Sequence, residues 1–392
     1  MPTLAPSLTK EEELHWLALK LVPGLGTRRS SQIIERFRTP QAIFRASKSE
    51  LQGAGLPGSI AQSIASGCTF DDAVDQQQKL INADALLIPI NDPRYPPLLR
   101  AIYDPPVVLF VRGRVELLQS IMLAVVGTRR PSTYGIAATE RLSPDLAQAG
   151  LTIVSGMARG IDTAAHRSVL AVAGNTVAVF GCGVDMLYPA ENRKLALELA
   201  DKGLLISEFP MGTPGYPQNF PVRNRVISGM SVGVLIIEGA QYSGSAITAR
   251  MALDQQREVF ALPGNITSKM SWGPNLLIKQ GAKLVQEWND VLVELPAETR
   301  RELSQNAQSR QGSLPLNALG DPLGTGEPDD MELSALGKLL LANIKADVPI
   351  QMDALVESLE DHSTSEITAE LFQLEMLGLI RQLPGRNFAK VW

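Results

Sequence analysis

The sequence is poor in the residues that build disulfide frameworks, metal sites and membrane spans. Its 392 residues include two cysteines, Cys68 and Cys182, and three widely separated histidines, His15, His166 and His362. We therefore expect neither a disulfide scaffold nor a cysteine- or histidine-rich metal site. No apolar run approaches the roughly 18 residues of a membrane span. Three glutamates near the N-terminus stand where a signal peptide needs an apolar stretch, so we expect a cytoplasmic protein without a membrane role.

The usual nucleotide-binding motifs are also missing. The chain contains neither the GxxxxGK[ST] phosphate loop nor the GxGxxG dinucleotide fingerprint. Its candidate loop reads GTRRPS and has two arginines where close approach to a pyrophosphate requires glycine. No acidic cluster has two-metal spacing, and Cys182 and His166 have no evident catalytic partner. We predict no catalytic residue, no metal and no cofactor.

The net charge of −5 hides a division along the chain. Residues 1–119 carry 13 basic and 12 acidic side chains, and residues 120–290 carry 15 and 13. Residues 291–392 carry 8 basic and 16 acidic side chains, which makes the tail −8 and the rest +3. Because affinity follows the local potential, a weakly basic body remains compatible with a phosphate-binding groove.

The middle of the chain repeats one unit, in which a short β-branched run is followed by a helical segment. Runs such as TVAVF and VLIIE are continuously apolar, as in strands buried on both faces of a parallel sheet. The pattern predicts an α/β fold with a doubly wound parallel sheet. The predicted strands lie within Ile121–Gly127, Leu151–Gly156, Asn175–Gly183, Leu204–Phe209, Val232–Ala240, Glu258–Gly264 and Ala282–Gln286.

Smaller regions flank this domain, which we place at residues 80–298. Residues 1–75 read as short helices with two glycine-rich turns, LVPGLG and LQGAGLPGSIA. These turns are typical either of a helix-hairpin-helix motif that holds a phosphate or of plain tight turns in a small bundle. Residues 299–330 lack periodicity and predict a flexible linker. In residues 331–392, three apolar-periodic helices and a hairpin predict a winged helix.

Three loops at the carboxyl ends of the predicted strands combine glycine with hydroxyl groups. In a doubly wound sheet these ends meet at one edge, where ligands bind. Backbone amides at such turns suit an anion, although turn geometry and helix capping also explain the residues. Together they predict a phosphate-binding edge formed by Gly127, Thr128, Ser155, Gly156, Gly160, Ser243, Gly244 and Ser245.

The fourth loop, residues 210–228, is the most informative. Tyr216 and Phe220 alternate there with Arg223 and Arg225. Aromatic rings for stacking bases, beside guanidinium groups for phosphates, are the chemistry of single-stranded nucleic acid binding. Arg129 and Arg130 of the first loop would add to an electropositive crevice. The alternative is an ordinary network of arginines and carboxylates with core aromatics.

Taken together, these motifs resemble the DprA (Smf) family of bacterial DNA-processing proteins. The resemblance covers residues 80–290 and rests on VVGTRRPS, SGMARGIDTAAH, GCGVDMLYPAENRKL, SEFPMGTPGYPQNFPVRNRVISGMS, SGSAITARMALDQQREVFALPG and GPNLLIKQGA. It implies an extended Rossmann-like domain without a nucleotide cofactor. The flanks resemble the family's sterile-alpha-motif-like helical domain and its winged helix.

The resemblance implies a homodimeric, non-enzymatic protein of natural transformation. Such proteins bind and protect incoming single-stranded DNA, load the RecA recombinase onto it and relieve the block imposed by the single-strand-binding protein. Carried onto this chain, the resemblance implies a DNA pocket lined by Arg129, Phe220, Arg223, Asn224 and Arg225, with a second basic position at Arg193 and Lys194. Pro217 and Gln218 stand where relatives have a lysine.

Two other functions stay open at this stage. By resemblance, the fold superfamily includes phosphoribohydrolases that act on nucleotides, but YSGSAITAR lacks the second glycine and the glutamate of their PGGxGTxxE block. A duplex-binding regulator would need a basic recognition helix. The third helix of the predicted winged helix, residues 364–377, instead carries Glu366, Glu370 and Glu375 and no lysine or arginine. We therefore expect the winged helix to contact protein.

Overall fold

The computed structural model of this protein divides into two compact units, Met1–Leu314 and Pro315–Trp392. Within the described residues, no helix has both the length and the apolar composition that crossing a bilayer requires. The structure describes residues 8–241, 243–303, 334–344, 350–359, 366–368, 370–371, 374, 379–383 and 387–390.

The first unit opens with six helices. Two of them begin with reciprocal capping boxes, in which Thr9 pairs with Glu12 and Ser47 with Glu50, so the first backbone amides have side-chain partners. The two predicted glycine turns connect consecutive helices, and Gly24 and Gly55 there adopt positive φ angles of 76° and 91°. The helices are α1 (Lys10–Leu21), α2 (Thr27–Phe37), α3 (Pro40–Arg45), α4 (Lys48–Gly53), α5 (Gly58–Ser66) and α6 (Phe70–Asn82).

A nine-stranded sheet forms the body of this unit, in the order β1-β2-β6-β5-β4-β3-β7-β8-β9. Strands β3 to β9 are parallel, which confirms the predicted doubly wound sheet. The chain runs outward from β3 to β6 and then returns to place β7 on the other side of β3. The strands are β1 (Leu86–Pro89), β2 (Val108–Gly113), β3 (Met122–Val126), β4 (Thr152–Ser155), β5 (Thr176–Phe180), β6 (Leu204–Ser207), β7 (Gly233–Ile236), β8 (Glu258–Ala261) and β9 (Lys283–Leu284).

Helices cover both faces of the sheet. Helices α11 and α12 pack with α7 on one face, and α8, α9 and α14 cover the opposite face. Strand side chains such as Val125 and Val234 are fully buried, which explains the continuous apolar runs. The helices are α7 (Pro97–Arg100), α8 (Thr133–Gln148), α9 (Ile161–Ala171), α10 (Arg193–Lys202), α11 (Asn219–Met230), α12 (Gly244–Asp254), α13 (Trp272–Lys279) and α14 (Trp288–Glu294), with short 3-10 turns at Val115–Gln119 and Ala190–Asn192.

The strands β1 and β2 were not predicted from the sequence. They extend the sheet with antiparallel pairs, β1 with β2 and β2 with β6. Their side chains Leu87, Val108 and Phe110 share one buried core with the helices before β1, including Trp16 of α1 and Leu80 of α6. The predicted helical region and the sheet therefore pack through a common apolar core.

The predicted linker begins inside a helix. Residues 297–303 are helical, and Leu303 is buried in the same core as α8 and α14. The first five residues of the predicted linker, residues 299–303, are therefore helical. Residues 304–330 of the predicted linker lie outside the described residues.

The second unit contains helices at Ala335–Asn343 and Met352–Ser358 and a three-stranded sheet. The sheet joins Ile350–Gln351, Asn387–Lys390 and Ile380–Leu383, with Asn387–Lys390 in the middle. In the third predicted helix, residues 366–368, 370–371 and 374 are helical, whereas Glu375 lies outside the described residues. Glu370 accepts a hydrogen bond from the Ser334 hydroxyl at 2.5 Å. Helices followed by a hairpin give the predicted winged-helix order.

Candidate nucleic-acid interface

A small pocket lies at the carboxyl ends of β3, β4 and β5, beside the point where the strand order reverses. Ligands of open α/β sheets bind in this position. The loop after each of the three strands contributes to the pocket, and the first turns of α11 close one side. Its lining residues are Arg129, Gly156, Met157, Ala158, Arg159, Phe180, Gly181, Cys182, Tyr188, Pro189, Phe220 and Arg223.

Two aromatic rings and two guanidinium groups meet in this pocket. The rings of Tyr188 and Phe220 stack with centroids 5.5 Å apart and an interplanar angle of 29°. The guanidinium carbons of Arg129 and Arg223 lie 5.5 and 5.9 Å from the Phe220 ring centroid, within the range of cation–π attraction. Tyr188 is 47% exposed. The pocket thus offers an accessible ring edge next to positive charge.

Arg223 is a buried cation held largely by backbone carbonyls. It is only 4% exposed, and its Nη1 donates to the oxygens of Gly156, at 2.6 Å, and Val179. Its Nε donates to Oδ1 of Asn224 at 3.1 Å. Burial lowers the pKa of Arg223 to about 10, while the nearby Asp162 carboxylate opposes that shift. Arg223 therefore keeps its charge at neutral pH.

Two glycines leave the space that these side chains occupy. A Cβ on Gly156 would lie 2.4 Å from Nη1 of Arg223, and a Cβ on Gly181 would lie 2.7 Å from the Phe220 ring. Both distances are far below a normal carbon contact, so any larger residue would displace the guanidinium or the ring. The glycines of the SGMARG and GCG segments are thus needed for packing at the pocket.

Exposed cations occur in the pocket lining and in the chain segments next to it. Arg129 and Arg130 follow β3 and are both exposed. Arg193 and Lys194 are exposed in the first turn of α10, which begins shortly after the pocket residue Pro189. Arg159 is also exposed at the rim and pairs with Glu191 at 2.5 Å.

Arg225 does not lie in the pocket, contrary to the sequence-based prediction. Its side chain is 8% exposed and donates to Glu208 at 2.5 Å and to the backbone oxygen of Asp104 at 2.7 Å. The Asp104 carboxylate lies 3.3 Å from its Nε. Two residues along a helix point in nearly opposite directions, so Arg223 and Arg225 leave α11 on different sides. For Arg225, the alternative of an arginine–carboxylate network is correct.

The predicted fourth loop, residues 210–228, is shorter in the structure than expected. Its second half, from Asn219 onward, is helix α11. Asn219 is buried and donates through Nδ2 to the backbone oxygen of Gly181 at 3.1 Å, which ties the helix to the pocket. Tyr216 is exposed and is not among the lining residues.

The amides predicted to hold phosphates already have partners within the protein. Those of Gly156 and Ala158 donate to the buried Asp162 carboxylate at 3.1 and 3.3 Å. The amide of Thr128 donates to the backbone oxygen of Glu238 at 2.8 Å. Burial raises the pKa of Asp162, and Arg223 opposes that shift. The amides of Gly156, Ala158 and Thr128 thus organise the sheet edge, and phosphate binding by these two loops stays a prediction.

The remaining residues of the predicted phosphate loops also have structural roles. Ser155 donates its hydroxyl to the backbone oxygen of Val125 at 2.7 Å. Gly127 packs against Ile161, and Gly160, at φ 80°, packs against the backbone oxygen of Thr128. Neither position has room for a side chain, so both glycines serve close packing of the two loops.

The third predicted phosphate loop lies away from the pocket, after β7. Ser243 caps α12 by accepting from the amide of Ala246 at 3.4 Å, and its hydroxyl lies 2.7 Å from that of Ser245. Gly244 is exposed between them. The three loops share the predicted edge of the sheet, but Ser243, Gly244 and Ser245 do not line the pocket.

The two side chains considered for catalysis, Cys182 and His166, are not activated. Burial raises the pKa of Cys182 to about 12, and its thiol lies 3.0 Å from the backbone oxygen of Met186. Burial lowers the pKa of His166 to about 3, and its Nδ1 lies 2.7 Å from the hydroxyl of Thr176. A protonated thiol and a fully buried neutral imidazole form no nucleophile–base pair. Within the described residues, no group of three potential metal ligands converges.

Tyr188 and Arg159 are among the pocket residues that were not predicted from the sequence. Tyr188 belongs to the YPAENRKL segment, in which only Arg193 and Lys194 were considered. An aromatic residue shortly after a strand end, beside a glycine pair, was the available signal.

Comparison with known proteins places the chain in a family. Residues 86–296 match the family described as DNA recombination-mediator protein A, and residues 326–386 match the DprA winged helix domain. Protein Smf of Escherichia coli is 41% identical over 300 residues, which cover 76% of each chain. Protein Smf of Synechocystis is 33% identical over 98% of this chain and 100% of its own.

A solved structure agrees with these matches. The X-ray structure of DNA processing protein A from Streptococcus pneumoniae has a TM-score of 0.66 and 33% identity, and covers 74% of this chain and 99% of its own. Its match supports the α/β fold observed here. The chain belongs to the DNA recombination-mediator protein A (DprA) family.

Proposed function

We propose that this protein binds single-stranded DNA at the pocket of Tyr188 and Phe220. The observation that carries the proposal is the Phe220 ring, which stacks on Tyr188 and has the guanidinium carbons of Arg129 and Arg223 at 5.5 and 5.9 Å from its centroid. Unpaired bases stack on aromatic rings, whereas bases inside a duplex have no free face to offer. The names of the relatives, as DNA-processing proteins, support DNA as the ligand.

The exposed cations supply the phosphate contacts in this proposal. Arg129 and Arg130 are exposed on the loop after β3, and Arg193 and Lys194 are exposed in the first turn of α10; in the proposal, a strand whose base enters the pocket runs past them. Each phosphate neutralised releases bound counterions, which makes binding sensitive to salt. Arg223 contributes without being exposed, because its buried positive charge makes the electrostatic potential at the Phe220 ring more positive.

The finer role that we propose is delivery of the bound strand to the RecA recombinase during natural transformation. In this role the protein is not an enzyme, uses no cofactor, acts as a homodimer and works against the single-strand-binding protein. The unactivated Cys182 and His166 suit a protein that holds DNA without cutting it. The unpaired cysteines, Cys68 exposed and Cys182 buried, suit the reducing cytoplasm.

For the winged helix we propose a protein partner rather than a duplex. Glu366 is exposed, and Glu370 accepts from Ser334. An acidic helix repels a phosphate backbone, whereas a basic protein surface would complement it.

Salt-titrated binding to a labelled poly-dT oligonucleotide, beside a duplex of equal length, tests the proposed function. We expect tight, salt-sensitive binding to the single strand and weak binding to the duplex. Phe220→Ala should weaken single-strand binding by about 1–3 kcal/mol, the usual contribution of one stacked base. Arg141→Ala, an exposed arginine on α8, is the control and should bind as the wild type does.

Two results would contradict the proposal. Equal affinity for both DNA forms would remove the role of base stacking, and unchanged binding by Phe220→Ala would move the site elsewhere. Release of free base from nucleotides would instead favour a phosphoribohydrolase. Stimulated assembly of RecA filaments on coated single strands would test the delivery role separately.

A further inference from the structure

A second aromatic ring lies exposed on the other side of α11. Tyr103 is 74% exposed, more than the other exposed aromatic residues of the described chain. The guanidinium carbon of Arg28 lies 4.8 Å from its ring centroid. This pairing of a ring with a guanidinium group repeats the chemistry of Phe220 and Arg129 at a separate place.

The loop that carries Tyr103 is rigidly anchored on both sides of the ring. Ile102 is buried and packs close to Gly229 of α11. Asp104 is held through its backbone oxygen and its carboxylate by Arg225, at 2.7 and 3.3 Å, and Arg225 is itself fixed by the buried Glu208. A side chain displayed between two such anchors loses little conformational entropy when it binds a ligand.

A groove beside the ring has the chemistry for a nucleobase. Its lining includes Tyr103, Asp104, Met251, Asp254, Gln255 and Gln256. Amide side chains hydrogen-bond to base edges, and a carboxylate accepts from the exocyclic amino group of a base. Oε1 of Gln255 is buried and has no hydrogen-bond partner among the residues that the structure describes, which is costly unless a ligand or water satisfies it.

The charges near the ring direct the phosphates away from the groove. Asp254 is exposed at the groove and repels a phosphate. Arg28 and Arg29 are exposed on the first turn of α2, and that turn contains no acidic residue. A guanidinium stacked on a ring uses its face for the ring and keeps its in-plane N–H donors for a phosphate. A base in the groove would therefore have its phosphate on the arginine side.

We infer that Tyr103 and its groove form a second base-binding site for single-stranded DNA, with Arg28 as its phosphate contact. The inference rests on the proposed function, because it assigns a further stretch of the same strand to this surface. It predicts that an oligonucleotide long enough to reach both sites binds more tightly than a short one. This gain in affinity should depend on Tyr103.

Binding of short and long oligonucleotides to full-length variants tests the inference. With oligonucleotides of about 6 and about 30 nucleotides, Tyr103→Ala should weaken binding of the long one by about 5- to 150-fold and leave the short one unchanged. Tyr103→Phe keeps the ring and should bind as the wild type does. Arg28→Ala should lower the salt slope for the long strand by about one, whereas Arg45→Ala, an exposed arginine on α3, should not.

A covalent readout locates the contact directly. A long oligonucleotide with 5-iododeoxyuridine at successive positions should cross-link on irradiation to the peptide that contains Tyr103, and the cross-link should vanish in Tyr103→Ala. Because Tyr103 is largely exposed, this substitution should leave folding intact, which thermal unfolding verifies.

The outcomes separate this inference from the proposed function. If Phe220→Ala weakens binding but Tyr103→Ala does not, the second site is overturned while the first stands. If Tyr103→Ala weakens long-strand binding and Phe220→Ala has no effect, the second site stands and the first falls. Equal weakening of both lengths by Tyr103→Ala, or absence of its cross-link, overturns the second site. If the wild type binds neither oligonucleotide, both fall.

Discussion

Two arginines on one helix, Arg223 and Arg225, have opposite surroundings. Arg223 faces the pocket, where its hydrogen bonds within the described residues go to two backbone carbonyls and an amide oxygen. Arg225 faces the other way and lies between the carboxylates of Glu208 and Asp104. Carbonyl dipoles hold the Arg223 guanidinium without cancelling its net charge, which the nearby Asp162 carboxylate offsets in part, whereas two carboxylates lie directly against the Arg225 guanidinium. The same residue type thus provides positive electrostatic potential on one side of α11 and stabilises the fold on the other.

This contrast gives each side a different measurable property. Substitution of Arg225 should change the free energy of unfolding and leave the affinity for a short oligonucleotide unchanged, whereas substitutions at the Phe220 pocket should weaken that affinity. An Arg225 variant that lost DNA affinity without losing stability would contradict this distinction.

The largest expected effect is that of Arg225→Ala on stability. Removing this guanidinium leaves the carboxylate of Glu208 buried and unpaired, which typically costs about 3–5 kcal/mol. Urea unfolding should show this loss, while the folded protein keeps its affinity for a short oligonucleotide. The double variant Arg225→Met with Glu208→Gln should recover much of the stability. If Arg225→Ala had wild-type stability but lost its affinity for the short oligonucleotide, Arg225 would instead belong to the proposed DNA-binding site.

The next effect is that of Gly156→Ala on the pocket. The added Cβ would overlap the Arg223 guanidinium, so the guanidinium must leave its carbonyl partners, and overpacking of this kind costs about 1–3 kcal/mol. We expect both lower stability and weaker binding of poly-dT. Gly53→Ala, at a position with open space around its Cβ, is the matched control. Unchanged binding would mean that the position of Arg223 does not matter to DNA.

A pH effect on the pocket side comes from His166. Burial, with a contribution from the Arg223 charge, lowers its pKa to about 3 in the folded protein, against about 6.5 in the unfolded chain. Between these values the unfolded state binds more protons, so stability falls as the pH is lowered. From pH 6.5 to 5 the loss from this group reaches about 2 kcal/mol.

Urea unfolding across this pH range measures the contribution of His166. His166→Gln removes the titrating group and should flatten the dependence by that amount. An unchanged slope would show that His166 does not remain neutral in the folded protein.

The smallest effect is that of Arg129→Ala. This side chain is exposed and stands on the pocket rim, so we expect loss of about one phosphate contact and a salt slope lower by about one. Thermal unfolding should be unchanged. A large loss of stability would place Arg129 with Arg225, as a residue of the fold.

The central sheet could be predicted from the sequence, but its antiparallel edge could not. The strands β3 to β8 lie within short, regularly spaced apolar runs of the sequence, the pattern expected of strands buried in a parallel sheet. By contrast, β1 and β2 flank a proline-rich connector, Asp92–Pro106, and their burial depends on helices packed against them. Propensity in a short segment carries little information when distant residues decide its environment.

At the site, residue types were easier to predict than their directions. The aromatic and basic content of residues 210–228 pointed to Phe220 and Arg223, which meet Arg129 in the structure. Arg225 was misplaced because that segment was interpreted as a loop. The amides after β3 and β4 were assigned to phosphate because hydrogen bonds to Asp162 and Glu238 depend on residues brought together only by folding.

The helices before β1 have a consequence for how the molecule unfolds. Trp16, Leu80, Leu87 and Phe110 belong to one buried core, and the Gln76 amide of α6 exchanges hydrogen bonds of 2.8 and 3.1 Å with the backbone of Met211, in the segment that leads into α11. Opening these helices would expose the edge of the sheet and release that segment together. In native-state hydrogen exchange, the amides of α6 and β2 should therefore open in one cooperative step, and a substitution in the helices should make the distant pocket of Tyr188 and Phe220 open more often.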